Sequence, residues 1–186
     1  MSVHQRILLE HQQMDIILQR LAHQLIENHH QFSQSCLVGL QPRGILLAQR
    51  IHRILLELLP GNTILFGELD TTFYRDDFRR GHEIHTPKKM NMDFQVEGRK
   101  VILIDDVLFT GRSVRAALDA LNDFGRPDLV ELLVLVDRRY ARHLPIEPSY
   151  TGIRVDTRSD DKVRVEWNEA EGNAVWILQQ PHSTEV

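Results

Sequence analysis

The run Val101-Ile102-Leu103-Ile104-Asp105-Asp106-Val107-Leu108-Phe109-Thr110-Gly111-Arg112-Ser113 constrains this chain more than any other. Four apolar residues end in two adjacent carboxylates. A short turn follows, and then the helical spacing Val114, Ala117, Leu118, Leu121. The pattern reads as a strand, a loop and a helix N-terminus. A helix start offers unpaired backbone N–H groups and a positive dipole end, which together suit a phosphate. Gly111 lets the backbone approach an anion closely, and Thr110 and Ser113 add hydroxyl donors. Asp105 and Asp106 cannot bind that phosphate, but they can accept hydrogen bonds from sugar hydroxyls beside it. These residue types fit a ribose 5-phosphate.

The periodicity around this run predicts an α/β fold. Residues 12–30 have Ile17, Leu18, Leu21, Ala22, Leu25 and Ile26 on one helical face. Cys36 to Leu40 reads as a short buried strand, and Gln41-Pro42-Arg43-Gly44 as a turn. Ile45 to Leu59 reads as a helix with Ile51, Leu55 and Leu58 inward and a Pro60-Gly61 stop. Thr63 to Leu69 is a predicted strand. The helix after residue 113 is expected to run to Phe124. Leu129 to Val136 is nearly continuous in apolar residues, as in a strand covered on both faces. Strands alternating with helices predict a central, mostly parallel sheet flanked by helices. Residues 162–167 and 174–178 alternate as strands would, and are expected at a sheet edge. Residues 70–98 lack helical periodicity and carry many charges, which predicts a long functional loop or an inserted hairpin. Ligands of parallel α/β sheets bind beyond the carboxyl ends of the strands. Arg43, Asp105 and Asp137 each follow an apolar strand there and should gather at one crevice.

A chain of 186 residues is expected to form a single domain over 1–186. No apolar run is as long as a membrane span, and no long apolar segment opens the chain. Cys36 is the only cysteine, which rules out an internal disulfide and fits a cytoplasmic protein. The net charge of −4 argues against an overall basic surface. It leaves room for a local patch: Arg138, Arg139, Arg142, Arg154, Arg158, Lys162 and Arg164 cluster in sequence. The ten histidines show no zinc spacing.

The strand, acid pair and Thr-Gly turn resemble the signature for 5-phosphoribosyl-1-diphosphate (PRPP) of the type I phosphoribosyltransferases. Leu37 to Ile45 resembles their pyrophosphate loop, and Glu68 to Asp77 the start of their flexible loop. With Leu135-Val136-Asp137-Arg138 and Leu144-Pro145-Ile146, the chain from about 14 to 166 resembles the PyrR family, pyrimidine operon attenuation regulators that are also uracil phosphoribosyltransferases. The resemblance implies a type I phosphoribosyltransferase fold with a small hood and a long flexible loop. It also implies the reaction of uracil with PRPP to give UMP and diphosphate, with Mg²⁺. By that resemblance Asp105, Asp106, Arg43, Tyr74 and Arg75 are the catalytic candidates. Asp105 and Asp106 are also the candidates for holding the metal. Val107, Thr110, Gly111, Arg112, Ser113 and Gly44 join Asp105, Asp106 and Arg43 in binding PRPP. Val136, Asp137 and Arg138 are expected at the base, largely through backbone groups. Related purine enzymes carry an acid where this chain has Phe109, so the apolar residue favours a pyrimidine.

The resemblance further implies that UMP or UTP promotes binding to a pyrimidine-operon leader mRNA, through a basic face completed in a homodimer or larger homo-oligomer. Gln19, Arg20, His23, Arg142 and Arg154 are the candidates for that face. Three departures stand out. The family's Asp-Arg-Gly-His-Arg-Glu turn is here the longer Asp137 to His143. Its Tyr-Val-Gly-Lys-Asn run is here Tyr150-Thr151-Gly152-Ile153-Arg154. Its Thr-Arg-Gly is Pro42-Arg43-Gly44, which removes a hydroxyl and an N–H from the pyrophosphate loop. Two alternatives stay open: an enzyme or nucleotide sensor without RNA binding, and a phosphoribosyltransferase for another base.

Overall fold

The computed structural model describes residues 4–71, 92–158, 160–168, 170 and 172–179. Tyr74 and Arg75, and most of the predicted loop 70–98, lie outside the described residues.

Five strands form the central sheet in the order β3-β2-β4-β5-β6: β2 (Ser35–Leu40), β3 (Leu65–Leu69), β4 (Lys100–Leu108), β5 (Leu129–Arg139) and β6 (Tyr150–Asp156). Every neighbouring pair in it is parallel. Parallel strands need crossovers, and helices α1 (His11–His29), α2 (Gly44–Leu58) and α3 (Arg112–Leu121) cover the two faces. Strand side chains alternate between faces, so β4 sends Ile102 and Ile104 into the core under α1 and α2. Val101 and Leu103 point into the core under α3. β5 repeats the alternation with Leu133 and Leu135 on one side and Leu132 and Val134 on the other.

The α1 apolar stripe is buried as the spacing predicts, from Met14 through Leu25. Its start is fixed by a capping box in which the Glu10 N–H donates to Gln13 Oε1 at 3.0 Å. Two expected core positions are not core. Leu58 is exposed because α2 ends there and the chain turns away. Leu118 lies on the outer side of α3, whose buried stripe is Val114, Ala116, Ala117, Ala120 and Leu121.

A second sheet was not foreseen as such. β7 (Lys162–Glu166) and β8 (Ala174–Gln179) do not extend the main sheet. They pair antiparallel with each other, and β8 pairs antiparallel with β1 (His4–Leu9), in the order β1-β8-β7. This small sheet is the hood: β7 lies against the end of β4. β1 is mostly exposed, so its sequence lacks the alternation that marks a half-buried strand. β6 was also missed, because Thr151, Gly152 and Arg154 interrupt its apolar pattern. Gly152 has a specific job there. A Cβ on it would sit 2.3 Å from the Leu135 carbonyl oxygen and 3.0 Å from Ile17 Cγ2, so glycine lets β6 lie against β5 and under α1.

Candidate active site

The chain leaves β2 toward β3 on one side and β4 toward β5 on the other, so the sheet's switch point falls between β2 and β4. A crevice opens at such a point because the two following loops diverge. Here they are Gln41–Gly44 and Phe109–Ser113. Gly44, the first residue of α2, sits directly against the acid pair. A Cβ on it would be 2.5 Å from the Ile104 carbonyl oxygen, 2.8 Å from Asp105 Cα and 3.0 Å from Asp105 Oδ1. Only glycine allows this approach, which sets the N-terminus of α2 beside the carboxylates. Arg43 precedes it, and its charge acts on Asp106.

β4 runs on through the acids to Leu108 because β5 continues to pair with it. Asp105 and Asp106 are therefore part of the strand end rather than of a loop after it. Asp106 is buried while Asp105 is half-buried. The Asp106 N–H donates to Asp105 Oδ1 at 2.9 Å. Burial pushes the Asp106 carboxyl above the ordinary carboxylate range, while the Arg43 charge and the Val107 N–H oppose that rise.

Beyond β4, Gly111 takes φ 90° as the N-cap of α3, a conformation that favours glycine. The Arg112 N–H points toward Thr110 Oγ1 at 3.4 Å. The segment after β5 braces this turn: the N–H groups of His143 and Leu144 donate to the Thr110 carbonyl at 3.0 and 3.3 Å. Ile146 and Leu144 lie against Gly111. The turn is thus fixed from behind, and its outward face, with Thr110 and Ser113 half-exposed, is open to an anion.

Arg142 also belongs to this brace. Its guanidinium donates to the carbonyls of Phe109 (2.5 Å), Ile146 (3.0 Å), Arg138 (3.1 Å) and Leu108 (3.3 Å), and makes a close contact with Asp137. These bonds hold it between the two loops. It is not on an open face with Arg20, as the sequence resemblance implied.

A cavity of about 460 Å³ lies beside the strand ends, lined by Val107, Phe109, Arg138, Asp160, Asp161 and Lys162, with Val163 beyond. Its floor is the end of β4 and its roof is the hood. Arg138 is buried: it donates to Thr157 Oγ1 and the Arg158 carbonyl, both at 2.8 Å, and its guanidinium stacks on Phe109. Val136 and Asp137 are not on the cavity wall. They lie between β4 and β6, where ladder pairing occupies the backbone groups expected to read a base. Nothing in the sequence places residues 160–163 at this wall, because the folding of the hood back over β4 leaves no local mark.

Arg20 and Arg154 meet on a different surface. A shallow groove of about 430 Å³ is lined by Arg20, Gln24, Ser149, Thr151, Gly152 and Arg154. Arg20 donates to the Gly152 carbonyl at 2.6 Å and to the Thr151 carbonyl at 3.3 Å. His23 is exposed on α1, while Gln19 lines a separate groove between α1 and α2.

Residues 4–169 match the phosphoribosyl transferase domain model. The chain is 43% identical to the bifunctional protein PyrR of Halalkalibacterium halodurans, over 96% of this chain and 99% of that protein. It is 41% identical to the bifunctional protein PyrR of Bacillus subtilis, over 90% and 92%. Among solved structures, the hypoxanthine phosphoribosyltransferase of Trypanosoma cruzi superposes with a TM-score of 0.67 at 12% identity, covering 93% of this chain and 89% of that one. The Staphylococcus aureus hypoxanthine phosphoribosyltransferase gives 0.64 at 19% identity, covering 82% and 79%. At those identities the structural likeness speaks for the fold. Together with the crevice geometry, the sequence matches settle the family: the chain belongs to the phosphoribosyltransferases of the PyrR type.

Proposed function

We propose that this chain, a PyrR-type pyrimidine regulator and uracil phosphoribosyltransferase, makes UMP from uracil and PRPP in the crevice between β2 and β4. The observation that carries the assignment is the fit of Gly44 against Asp105, with Arg43 beside Asp106. It sets a cation and a helix start against two carboxylates, as a substrate bearing ribose hydroxyls and a diphosphate requires.

The 5-phosphate sits on the Thr110–Ser113 turn at the start of α3, where backbone N–H groups of the first helical turn and the half-exposed Thr110 and Ser113 supply donors. Asp105 and Asp106 accept hydrogen bonds from the ribose 2- and 3-hydroxyls. Positive charge develops on the ribose as the bond from C1 to diphosphate breaks, and neighbouring carboxylates stabilise it. Arg43 and the α2 N-terminus receive the departing diphosphate. The N1–C1 bond forms as the uracil N1 proton leaves to solvent or to the diphosphate. Phe109 offers no proton acceptor, so the proton leaves by one of those two routes rather than to a side chain at that position. Uracil lies in the cavity under the hood, against Phe109. By the family resemblance Tyr74 and Arg75 also act in catalysis.

Mg²⁺ fits this donor set. No cluster of three or more His, Cys, Asp or Glu side chains suited to a metal occurs among the described residues. Mg²⁺ commonly needs only one or two carboxylates and takes its other ligands from phosphates and water. Asp105 and Asp106 would hold it, and when bound it offsets the charge of the diphosphate.

The second activity is uridine-nucleotide-dependent binding of a pyrimidine-operon leader mRNA, in the cytoplasm where that transcript is made. Arg20 and Arg154 support it, because they place two guanidinium groups in one groove open to phosphates. A homodimer would present two such grooves.

The test is UMP formation from labelled uracil, PRPP and Mg²⁺, with hypoxanthine and orotate as competitors. Uracil-selective turnover is expected. Preference for hypoxanthine or orotate would reassign the base, and UMP binding without turnover would leave a nucleotide sensor. Filter binding of the leader transcript with and without UMP tests the second activity. Arg20→Ala is expected to weaken it and to reduce its salt dependence.

A further inference from the structure

We infer that the Asp137 carboxylate, shared between Arg142 and Arg154, carries nucleotide occupancy of the crevice to the Arg20–Arg154 groove. The inference rests on the RNA-binding reading of that groove. Asp137 lies near the end of β5 and is 6% exposed. One of its oxygens is in close contact with Arg142 Nη2. The other is 3.7 Å from Arg154 Nε.

The two arginines differ in how they are held. Arg142 is fixed by the Phe109 and Arg138 carbonyls on the cavity wall, the Leu108 carbonyl at the end of β4 and the Ile146 carbonyl of the segment behind the PRPP turn. Its position follows whatever orders those loops. Arg154 is 63% exposed and lines the groove. At 3.7 Å it is ion-paired to Asp137 without a hydrogen bond. The nearby Asp156 does not compete for it, because both Asp156 oxygens are taken by Arg139 at 2.7 and 2.9 Å.

One buried carboxylate therefore serves two cations, one held by the nucleotide site and one free to leave. With the crevice empty, part of the Asp137 charge acts on Arg154 and opposes an incoming phosphate. A nucleotide that orders the Leu108–Phe109 segment holds Arg142 on Asp137, in the close contact it already makes, and keeps the carboxylate neutralised. Arg154 is then available to the RNA backbone. The coupling is positive and must be reciprocal: RNA tightens nucleotide binding by the same factor.

Asp137→Asn keeps the shape and still accepts from Arg142, but it removes the charge. Two readouts decide the matter: filter binding of the leader transcript without UMP and at saturating UMP, and amide exchange of residues 150–156 with and without UMP. Wild type is expected to bind RNA more tightly with UMP, by a factor in the usual allosteric range of roughly 5–150. Asp137→Asn is expected to bind RNA without UMP nearly as tightly as wild type does with it, so its ratio falls to about 1. General damage to the fold would weaken RNA binding instead, and a wild-type ratio in Asp137→Asn would overturn the relay. Arg154→Gln is the second variant. Its absolute affinity falls and its ratio should also collapse, whereas a preserved ratio counts against the relay. If wild type binds no transcript, the RNA reading fails and the exchange data judge the relay alone. A UMP-induced change over 150–156 in wild type but not in Asp137→Asn supports it, and the same response in both overturns it.

Discussion

The Arg138 guanidinium lies 3.9 Å from the centroid of the Phe109 ring, so a cation from the end of β5 covers the apolar residue at the end of β4. Burial lowers the Arg138 pKa, opposed by the charge of Asp161 in the hood. The pair thus joins three parts of the cavity: β4, β5 and the hood. A flat pyrimidine resting on Phe109 would meet a ring whose other face is already held. Phe109→Ala removes that surface and the cation–π contact, which is worth about 0.5–2 kcal/mol. The expected result is a rise in the KM for uracil of roughly 2- to 30-fold, with the KM for PRPP little changed. Steady-state kinetics with each substrate varied in turn would show it. An equal rise in both KM values would mean that Phe109 supports the PRPP turn instead.

Asp106 shows the conflict between stability and function. Burial raises its pKa, so the native state binds more protons than the unfolded chain between the ordinary value and the raised one. Its contribution to stability is full below the ordinary aspartate value of about 3.9 and is lost as pH rises through the folded value. At neutral pH the buried charge is a cost, offset in part by Arg43. Asp106→Asn is therefore expected to gain about 1 kcal/mol at pH 7, or roughly 2–4 °C in Tm. Turnover should fall by about 10²-fold, because a charge facing the developing ribose cation is gone. Thermal melts and UMP synthesis on one preparation give both numbers. A lower Tm at pH 7 would contradict the assigned electrostatics.

Gly44 permits a test of the crevice that leaves every charge in place. The two atoms that a Cβ would strike most closely, the Ile104 carbonyl oxygen and Asp105 Cα, are backbone, so they cannot rotate away. Gly44→Ala must push the start of α2 away from β4, at an overpacking cost of about 1–3 kcal/mol. The separation falls where the Arg43 charge acts on Asp106. The KM for PRPP should rise more than that for uracil, with a lower urea midpoint. Unchanged PRPP kinetics in a destabilised protein would place the diphosphate elsewhere.

What the sequence disclosed follows from which signals are local. The acid pair, the Gly111 turn and the β2–α2 and β4–α3 units could be read directly, because each is a contiguous pattern with its own periodicity. Arg43 and Asp105 could be expected at one crevice because parallel sheets gather their loops at one end, and Gly44 does lie against Asp105. The hood could not be located: that β8 pairs with β1, some 170 residues away, is a long-range fact with no local mark. The cavity wall at Asp160, Asp161 and Lys162 stayed hidden for the same reason. Arg142 reads as one of several clustered arginines, and only the fold shows its N–H groups bound to four carbonyls.

The far end of the sheet carries a buried polar network that sets the acid limit of the fold. The His29 ring, almost wholly buried, meets Ser35 Oγ at 2.9 Å through Nδ1. Its Nε2 lies 3.1 Å from the Tyr150 hydroxyl and 3.0 Å from Glu131 Oε2. Asn28 Nδ2 donates to the same hydroxyl at 3.0 Å, which ties α1 to β6. Burial lowers the His29 pKa. Glu131 raises it, and Lys100 and His30 lower it further. The native state then binds fewer protons than the unfolded chain, whose histidine titrates near about 6.5. The stability from neutral His29 is full above that value and is lost as pH falls from it through the folded pKa. His29→Asn should cost about 1–3 kcal/mol at pH 7.5, because Ser35 loses its partner in the ring and Tyr150 keeps only Asn28 and Glu131. Wild type should lose more stability than the variant between pH 7.5 and 5.5. Urea midpoints at the two pH values measure this, and equal losses would show that Glu131 keeps the ring protonated in the native state.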